Sequence, residues 1–442
     1  MARWYEGYLV PSRPAAYGLF LLLGVDHDFW PVLLIQSALT IWVIALALRS
    51  FGLGGRPFLL LGIISSLALF TTLPWLTSIL LTDIFVGLAV LALYLLVFKY
   101  ETLHVAERVG LVVLIAFAGA THSATLGLIL AMACSIAAIA VLRRRIVPPS
   151  GAPRAIMIVV LAVVMTLAAN FAVVGRLAWT PGGYGILFGR MLQQGLVVRY
   201  LDKHCPTTPF KLCPYRAELP RDADAFLWGD SVFNKLGRFV GLDDEMRTIV
   251  LGALEDFPRE EMEGALSGMA QQIIRVGSGE GVVNSVWHTY AIITRYTPSA
   301  VPAMRAARQQ RGGIDFKLIN TVHVPLAFLA LVVLPLWAFG FRNEAFADFR
   351  RLAVTVAVAI LINGAVCGVL SNPHDRYGAR IIWLAPLVSL LGAALVLRSR
   401  QTLVDGGQAM AGAENAWNAA LRPRPALSPK NRPPLSRRVP ER

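Results

Sequence analysis

The sequence predicts an all-α fold: a polytopic transmembrane helix bundle with about nine spans and a mostly helical segment outside the bilayer. The first observation behind this prediction is composition. The chain has 442 residues, of which 56% are hydrophobic and 15% charged, and its mean hydropathy is +0.59. A soluble domain carries roughly 25% charged residues. The second observation is that apolar runs recur at lengths that match a bilayer core of ~30 Å.

Nine apolar segments are predicted to cross the membrane. They follow a shorter apolar stretch, residues 14–25, which suits a re-entrant or interfacial helix. The fourth predicted span is short and meets the fifth at Thr121, His122 and Ser123. The predicted spans are residues 31–48, 57–75, 79–98, 109–121, 124–142, 155–175, 318–340, 352–370 and 380–397.

The formal net charge of +14 does not indicate nucleic-acid binding, because of where the charges lie. Residues 176–317, called the polar segment below, hold 17 Lys/Arg and 15 Asp/Glu. The rest of the chain holds 24 Lys/Arg and 12 Asp/Glu, with the basic residues clustered in short loops between apolar runs. Such clustering is typical of cytoplasmic loops of membrane proteins. The predicted partners are therefore membrane lipids, with no nucleic acid.

The basic loops predict a domain organisation and a topology. Residues 1–175 would form an N-terminal bundle with six spans, and residues 318–400 a C-terminal bundle with three. Every basic loop can be cytoplasmic at once if the N-terminus and the polar segment both lie outside. Residues 401–442, rich in Pro, Ala and Arg, are predicted to be a disordered cytoplasmic tail. We predict a multi-pass protein of the bacterial inner membrane.

The cysteines divide into two pairs by context. Cys134 and Cys367 lie inside apolar runs and are interpreted as small hydrophobic residues. Cys205 and Cys213 lie in the polar segment, each followed by a proline. A disulfide between them is predicted if the segment lies in an oxidising compartment. A metal site is the weaker alternative, because His204 is the one other nearby ligand candidate.

Two ionisable residues stand at the predicted outer ends of spans, where charges are costly and a functional role is suspected. Asp83 opens the third predicted span. It either belongs to a helix N-terminus, where a carboxylate offsets the macrodipole, or lines an active-site cavity. His122 stands at the tip of the short fourth span. It is either a turn histidine or a group facing a cavity that the short helix leaves open.

The densest polar cluster at this face, residues 372–377, precedes the last predicted span. Arg376 could bind a phosphate through its fork of N–H donors. His374 or Asp375 could assist proton transfer. The alternative is an ordinary polar loop whose arginine extends to lipid headgroups.

The N-terminal segment offers Arg13 as either a headgroup anchor or a ligand contact. Asp26, His27 and Asp28 do not favour a metal site, because at most two of them could share one face. No metal ligand set is predicted, and a divalent cation is left open as a cofactor. The chain also lacks the short motifs of ATP-driven enzymes, α/β-hydrolases and zinc proteases.

Several short motifs, taken in order, resemble the GT-C superfamily of membrane glycosyltransferases, of the protein mannosyltransferase-like and lipid A-modifying type. The run RPAAYGLFL at residues 13–21 is followed by LLIQ at residues 33–36. Asp83 then opens a span, His122 lies at a tip, and Arg376 with Tyr377 precedes the last span. Each motif is short, and together they touch most of residues 1–400.

The resemblance implies a glycosyltransferase that moves a sugar from a polyprenyl-phosphate donor to an acceptor on the extracytoplasmic side of the membrane. One set of residues would bind the donor phosphate: Arg13, Tyr17, His374, Arg376 and Tyr377. A second set would be catalytic: Asp83, His122 and Asp375. The polar segment, which carries no motif of the family, would recognise the acceptor.

The resemblance also implies a missing part. Members of the family usually carry the catalytic carboxylate in the loop after a first span, and this chain begins beyond that point. Asp83 or Glu6 could substitute for that carboxylate. An outer N-terminus with no preceding span or signal peptide agrees with the gap. We therefore expect the natural protein to have an earlier helix that this chain lacks.

Two other functions stay open at the level of sequence. One is a transporter or flippase of a lipid-linked or anionic solute. Transporters tend to carry polar groups near the midplane, in helices of repeated halves, and here such residues are scarce and no repeat is visible. The other is a non-catalytic truncated relative of the enzyme. The sugar, the acceptor and the oligomeric state do not follow from the sequence.

Overall fold

A computed structural model of the chain describes residues 2–10, 13–143, 146–283, 287–340 and 344–401. All regular structure in these residues is helical. The helices of the first part of the chain are α1 (Ala2–Glu6), α2 (Ala16–Phe20), α3 (Trp30–Ser50), α4 (Pro57–Phe70), α5 (Leu73–Ser78), α6 (Ile84–Phe98), α7 (Val105–Thr121), α8 (Ser123–Leu142) and α9 (Gly151–Val174).

The polar segment is helical along most of its described length, as predicted. Its helices are α10 (Gly183–Gln193), α11 (Leu196–His204), α12 (Ala223–Leu227), α13 (Val232–Lys235), α14 (Arg238–Asp256), α15 (Pro258–Ile274), α16 (Trp287–Tyr296) and α17 (Ala300–Ala306). The chain ends in α18 (Phe316–Phe339), α19 (Ala347–Leu370), α20 (Asp375–Ile382) and α21 (384–401). The predicted cytoplasmic tail lies outside the described residues from position 402 onward.

Six helical stretches of the described residues are long and apolar enough to cross a bilayer, so the chain is a multi-pass membrane protein. They are α3, α8, α9, α18 and the stretches Glu344–Leu370 and Asp375–Gln401. The other three predicted spans fall on shorter helices: α4 has 14 residues, α6 has 15 and α7 has 17. At 1.5 Å per residue, α6 covers only ~22 Å. Helix length and composition therefore support six membrane crossings among the described residues, and the other three predicted spans lie on shorter helices.

Helix α6 is the central helix of the bundle. Every residue from Ile84 to Val97 is buried, which explains why this run is apolar on all sides. Gly87 lets a neighbour approach closely, because a Cβ at this position would lie 2.6 Å from the Trp383 ring. The N-terminal end of α6, where Asp83 stands, is therefore enclosed by other helices.

The short apolar stretch 14–25 forms α2 and a 3-10 helix, Leu21–His27, rather than one regular span. The chain then reverses at Asp28 and Phe29, whose φ angles of 48° and 63° lie in the left-handed region. The turn is tight, since a Cβ on Gly24 would lie 2.7 Å from the Phe29 Cα. The reversal packs α2 beside α3 and brings Tyr17 against Gln36.

The polar segment has its own apolar core and is docked on the membrane helices within one compact unit, residues 1–391. Its core includes the buried rings of Phe188, Phe226 and Phe233. Helix α15 lies along α19 with glycine against glycine: a Cβ on Gly268 would lie 2.2 Å from the Gly368 carbonyl oxygen. No side chain larger than glycine fits at this crossing without a shift of the backbone.

The predicted disulfide between Cys205 and Cys213 is confirmed, with the two Cα atoms 5.7 Å apart. Both cysteines pack against the core of the polar segment. Cys134 and Cys367 are free, as the sequence indicated.

Breaking this disulfide should destabilise the polar segment. Closing a loop across eight positions restricts the unfolded chain and stabilises the fold by about 2–3 kcal/mol. We expect Cys205→Ser with Cys213→Ser to lower the midpoint of thermal unfolding of the purified protein. Cys134→Ala, which removes a free thiol, is the control. Equal midpoints for the double variant and the control would contradict the prediction.

Candidate functional site

Asp83 and Arg376 form a buried ion pair at the N-terminal end of α6. The Arg376 Nε donates to Asp83 Oδ2 at 2.7 Å, and Asp83 is 1% exposed. Asp83 occupies the N-cap position of α6, but its side chain makes no capping hydrogen bond. Asp83 Oδ1 and Arg376 Nη2 are buried and have no partner among the described residues. Buried polar atoms normally have partners, so these two indicate a place for a bound group or water.

Arg13 lies within electrostatic range of both residues of this pair, and His122 lies within range of Arg376. Arg13 interacts with Arg376, Tyr377 and Asp83. His122 interacts with Arg13, Arg376 and Arg380. The structure thus brings Asp83, His122 and Arg376 to one location, although 293 positions separate the paired residues in sequence.

The backbone around Arg13 is held from two sides. The Arg3 side chain donates hydrogen bonds to the carbonyl oxygens of Arg13 and Pro14. The Ala15 N–H donates to Asn170 Oδ1 on α9 at 3.0 Å. These contacts hold the start of α2 at the site end of the bundle, which we define as the end where Asp83 lies.

His122 is the N-cap of α8, and its Nδ1 accepts a hydrogen bond from the Ala124 N–H at 3.2 Å. In a neutral imidazole that accepts at Nδ1, the proton is carried by Nε2. His122 therefore occupies a helix-capping turn, which is the first of the two alternatives drawn from the sequence, and it also lies near arginines. This tautomer makes His122 a hydrogen-bond donor to a ligand rather than a base.

Tyr17 uses its hydroxyl to position the segment before Asp83. It donates to Gln36 Oε1 at 3.0 Å, and Gln36 Nε2 donates to the carbonyl oxygens of Thr77 and Ile79 at 3.1 Å. The Tyr17 ring is buried within electrostatic range of Asp83. The glutamine of the LLIQ motif thus ties α2, α3 and the turn into α6 together.

Arg380 is a second buried arginine of the site end. Its Nε and Nη2 donate to Asn363 Oδ1 at 3.0 and 2.8 Å, and Asn363 Nδ2 donates to the Tyr377 carbonyl oxygen at 2.8 Å. Cys367 Sγ completes this set, 2.9 Å from Arg380 Nη2. Arg380 therefore joins Arg13 and Arg376 as the third guanidinium group at the site end, where Asp83 lies.

The outer rim of the site carries carboxylates. His374 Nδ1 lies 2.5 Å from Glu280 Oε1, and His374 Nε2 lies 3.2 Å from Asp224 Oδ2. Glu280 Oε2 also accepts the Arg376 N–H at 2.8 Å, and Asp375 Oδ1 accepts the Gly277 N–H at 3.0 Å. Both ring nitrogens of His374 are thus engaged by carboxylates, so a phosphate could contact this ring only after one contact breaks.

Asp224 and Glu280 could not be selected from the sequence, because there they are ordinary acids of a charge-balanced segment. Asn363 could have been selected from the sequence, because a polar residue inside an apolar run is a functional candidate. The structure adds all three to the site that the sequence outlined.

His374 should make stability depend on pH. Burial lowers the pKa of His374, but hydrogen bonds to Asp224 and Glu280 outweigh burial and raise this pKa from 6.5 to about 9. The stabilisation is therefore fully present below pH 6.5 and is lost as the pH rises through about 9. One pKa unit is worth ~1.4 kcal/mol, so the full effect is on the order of 3 kcal/mol.

We expect the unfolding temperature of the wild-type protein to fall across this window, and that of His374→Gln to change much less. Hydrogen bonds to His374 also lower the pKa of Asp224 and Glu280, after burial has raised both. Their contributions are lost at acidic pH, outside the window. Parallel pH profiles for the two proteins would rule out the clamp that His374 forms with Asp224 and Glu280.

An apolar groove lies between α4, α18 and α21. Its volume is about 240 Å³, and its walls include Leu67, Phe70, Leu329 and Leu390. The groove reaches Thr71, and the hydroxyl of the next residue, Thr72, donates to the Ala379 carbonyl oxygen on α20 at 2.7 Å. The groove therefore runs to the level of the helix that carries Arg376 and Arg380.

Among the described residues, no group of three or more His, Cys, Asp or Glu side chains is placed to hold a metal ion. No family model, no curated protein and no solved structure matches the chain. The geometry of the site is therefore the basis for assigning a function.

Proposed function

We propose that the chain transfers a sugar from a polyprenyl-phosphate donor to an acceptor on the outer side of the bacterial inner membrane. One observation carries this proposal. Among the described residues of the site end, Arg380 is buried and Arg13 and Arg376 are partly buried, and both Asp83 Oδ1 and Arg376 Nη2 lack partners. Three guanidinium groups largely shielded from solvent favour an anionic ligand with several acceptor oxygens, such as a phosphate.

The proposed membrane arrangement keeps nine spans, with α4, α6 and α7 added to the six long helical stretches. The positive-inside distribution supports a cytoplasmic C-terminus and an outer polar segment. The Cys205–Cys213 disulfide supports the same side for the polar segment, because disulfides persist in oxidising compartments. Short α6 would leave Asp83 recessed from the outer surface, at a depth that the phosphate of a membrane-embedded carrier can reach.

The lipid character of the donor is supported by the apolar groove between α4, α18 and α21. A polyprenyl chain is an uncharged hydrocarbon, and a groove walled by leucines and phenylalanine is suited to it. With the chain in the groove, the phosphate would lie at the level of Arg376.

The proposed reaction needs a charge sink and a proton acceptor. The acceptor hydroxyl attacks the anomeric carbon, the bond from that carbon to the phosphate oxygen breaks, and polyprenyl phosphate leaves. The leaving phosphate gains a negative charge, which Arg13 and Arg376 would stabilise. The hydroxyl proton would pass to Asp83, whose Oδ1 is unengaged.

The other candidate residues take supporting roles in this proposal. His122 would donate from Nε2 to the phosphate or the sugar. Tyr377 would contact the donor, while Tyr17 would position the turn before Asp83. Asp375 would hold the polar segment over the site through the Gly277 N–H.

The test is transfer of radiolabelled sugar in membranes that contain the wild-type protein, Asp83→Asn or Arg376→Ala. The donors are polyprenyl phosphates that carry glucose, galactose, mannose or arabinose. We expect transfer from one donor by the wild-type protein and strongly reduced transfer by both variants. Equal transfer by all three proteins would remove Asp83 and Arg376 from the site. Movement of the labelled lipid across the bilayer without transfer would favour the transporter alternative.

A further inference from the structure

A polar cavity lies apart from the arginine cluster, between α10, α15 and α19. Its volume is about 240 Å³. Pockets for drug-sized ligands measure ~300–1,000 Å³, so this one suits a single ring-sized group. Its walls combine amide, hydroxyl and guanidinium groups with glycines: Arg190, Gln193, Gln194, Ser267, Gln271 and Gly268.

Arg190 is the buried centre of this wall, with 2% of its surface exposed. Its Nη1 donates to Gln194 Oε1 at 2.6 Å, and its Nη2 is paired with Glu261. Arg190 Nε and Glu261 Oε2 are nevertheless buried without a partner among the described residues. Arg190 lines the cavity, so a polar ligand or a water there could complete the hydrogen bonding of its buried guanidinium group.

The charges of the cavity favour a neutral ligand. The positive charge of Arg190 is balanced by Glu261, and the other named wall residues are amides, a hydroxyl and a glycine. Glutamine and serine both donate and accept hydrogen bonds, as sugar hydroxyl groups do. We propose that this cavity binds a neutral sugar ring.

The position of the cavity suggests which sugar. Pro373 lines it and directly precedes the rim residues of the transfer site. Gln272, next to the wall residue Gln271, accepts the His374 N–H and donates to the His374 carbonyl oxygen, each at 2.9 Å. The donor phosphate is assigned to the arginine cluster, from which this cavity lies apart. We therefore assign a ring in the cavity to the acceptor, not to the lipid-linked donor. This assignment to the acceptor rests on the proposed transferase function, whereas binding of the ring does not.

The test is saturation-transfer difference NMR on the full chain in lipid nanodiscs, with methyl glycosides of glucose, galactose, mannose and N-acetylglucosamine as probes. The double variant Ser267→Ala with Gln271→Ala removes two exposed helix side chains of the wall. Thr248→Ala removes a comparable exposed helix hydroxyl on α14, away from the cavity. We expect at least one glycoside to bind the wild type and Thr248→Ala, with roughly 10-fold weaker binding to the double variant because two hydrogen bonds are lost.

Absence of binding by every glycoside, or equal binding to the double variant, would overturn this proposal. The two proposals fail separately. Asp83→Asn should keep glycoside binding even though it loses transfer. Glycoside binding without any transfer activity in the wild type would leave the sugar site intact and remove only its assignment to an acceptor.

Discussion

Replacing Arg376 with alanine is expected to reduce sugar transfer by roughly 100- to 1,000-fold, the range seen when a preorganised donor to a developing negative charge is removed. Arg376 pairs with Asp83 at 2.7 Å and still has Nη2 unengaged among the described residues. Its loss would remove both the contact to the leaving phosphate and the partner that orients Asp83. Initial rates of labelled transfer, at equal amounts of folded protein in membranes, measure the effect.

Loss of activity through unfolding must be distinguished from loss of a catalytic contact, because breaking a buried ion pair lowers the stability of a protein by about 3–5 kcal/mol. The double variant Asp83→Asn with Arg376→Gln removes both charges together and should fold better than Arg376→Ala while remaining inactive. Arg376→Lys keeps the charge but not the fork of donors and should be intermediate.

Arg49→Ala is the matched control for the loss of an arginine ion pair. It breaks the contact of Arg49 with Glu107 at the C-terminal end of α3, about 30 Å along that helix from the turn beside the site. Its transfer rate should stay near that of the wild type. A folded Arg376→Ala protein that is as active as Arg49→Ala would refute the proposed phosphate contact.

Replacing Gly378 with alanine is expected to destabilise the protein by about 3 kcal/mol or more, through overpacking. Gly378 lies on buried α20, and a Cβ there would lie 1.8 Å from the Arg275 carbonyl oxygen. The obstacle is backbone, which cannot rotate away as a side chain can. The added Cβ would displace the segment that begins at Arg275 and includes Glu280. Because Glu280 accepts a hydrogen bond from the Arg376 N–H, sugar transfer should fall together with stability.

Gly62→Ala is the control for this substitution. Gly62 lies within α4, and nothing is found within 4 Å of the position of an added Cβ. Alanine there should stabilise the helix by up to ~1 kcal/mol. The two variants are compared by their thermal unfolding temperatures in detergent. Equal temperatures would show that the polar segment does not pack closely against Gly378 of α20.

The sequence predicted the helical membrane bundle well because hydropathy is a local property. All nine predicted spans overlap helices, but only six of the described helical stretches are long and apolar enough to cross a bilayer. The Cys205–Cys213 disulfide forms as predicted. Helix lengths were harder to predict. The predicted span begins at residue 79, but α6 begins only at Ile84. The residues before Ile84 form a turn instead of a helix, and the Ile79 carbonyl oxygen accepts a hydrogen bond from Gln36.

The candidate site residues were chosen from the sequence one at a time. Asp83, His122, Arg13 and Arg376 were selected singly, each because a charge near membrane depth is costly, and the structure brings them together. Their partners on the polar segment were missed, since Asp224 and Glu280 differ from other surface acids only in their contact with His374.

By itself, the sequence determined that this chain enters a membrane as apolar helices and that a disulfide forms in its polar segment. These properties depend on the hydropathy and spacing of nearby residues, so the sequence alone is enough to predict them. Only the tertiary structure decided that Asp83 meets Arg376, that His374 is held between two carboxylates, and that Arg190 borders a neutral polar cavity. Such pairings join residues far apart in sequence, and their energies depend on how the helices pack.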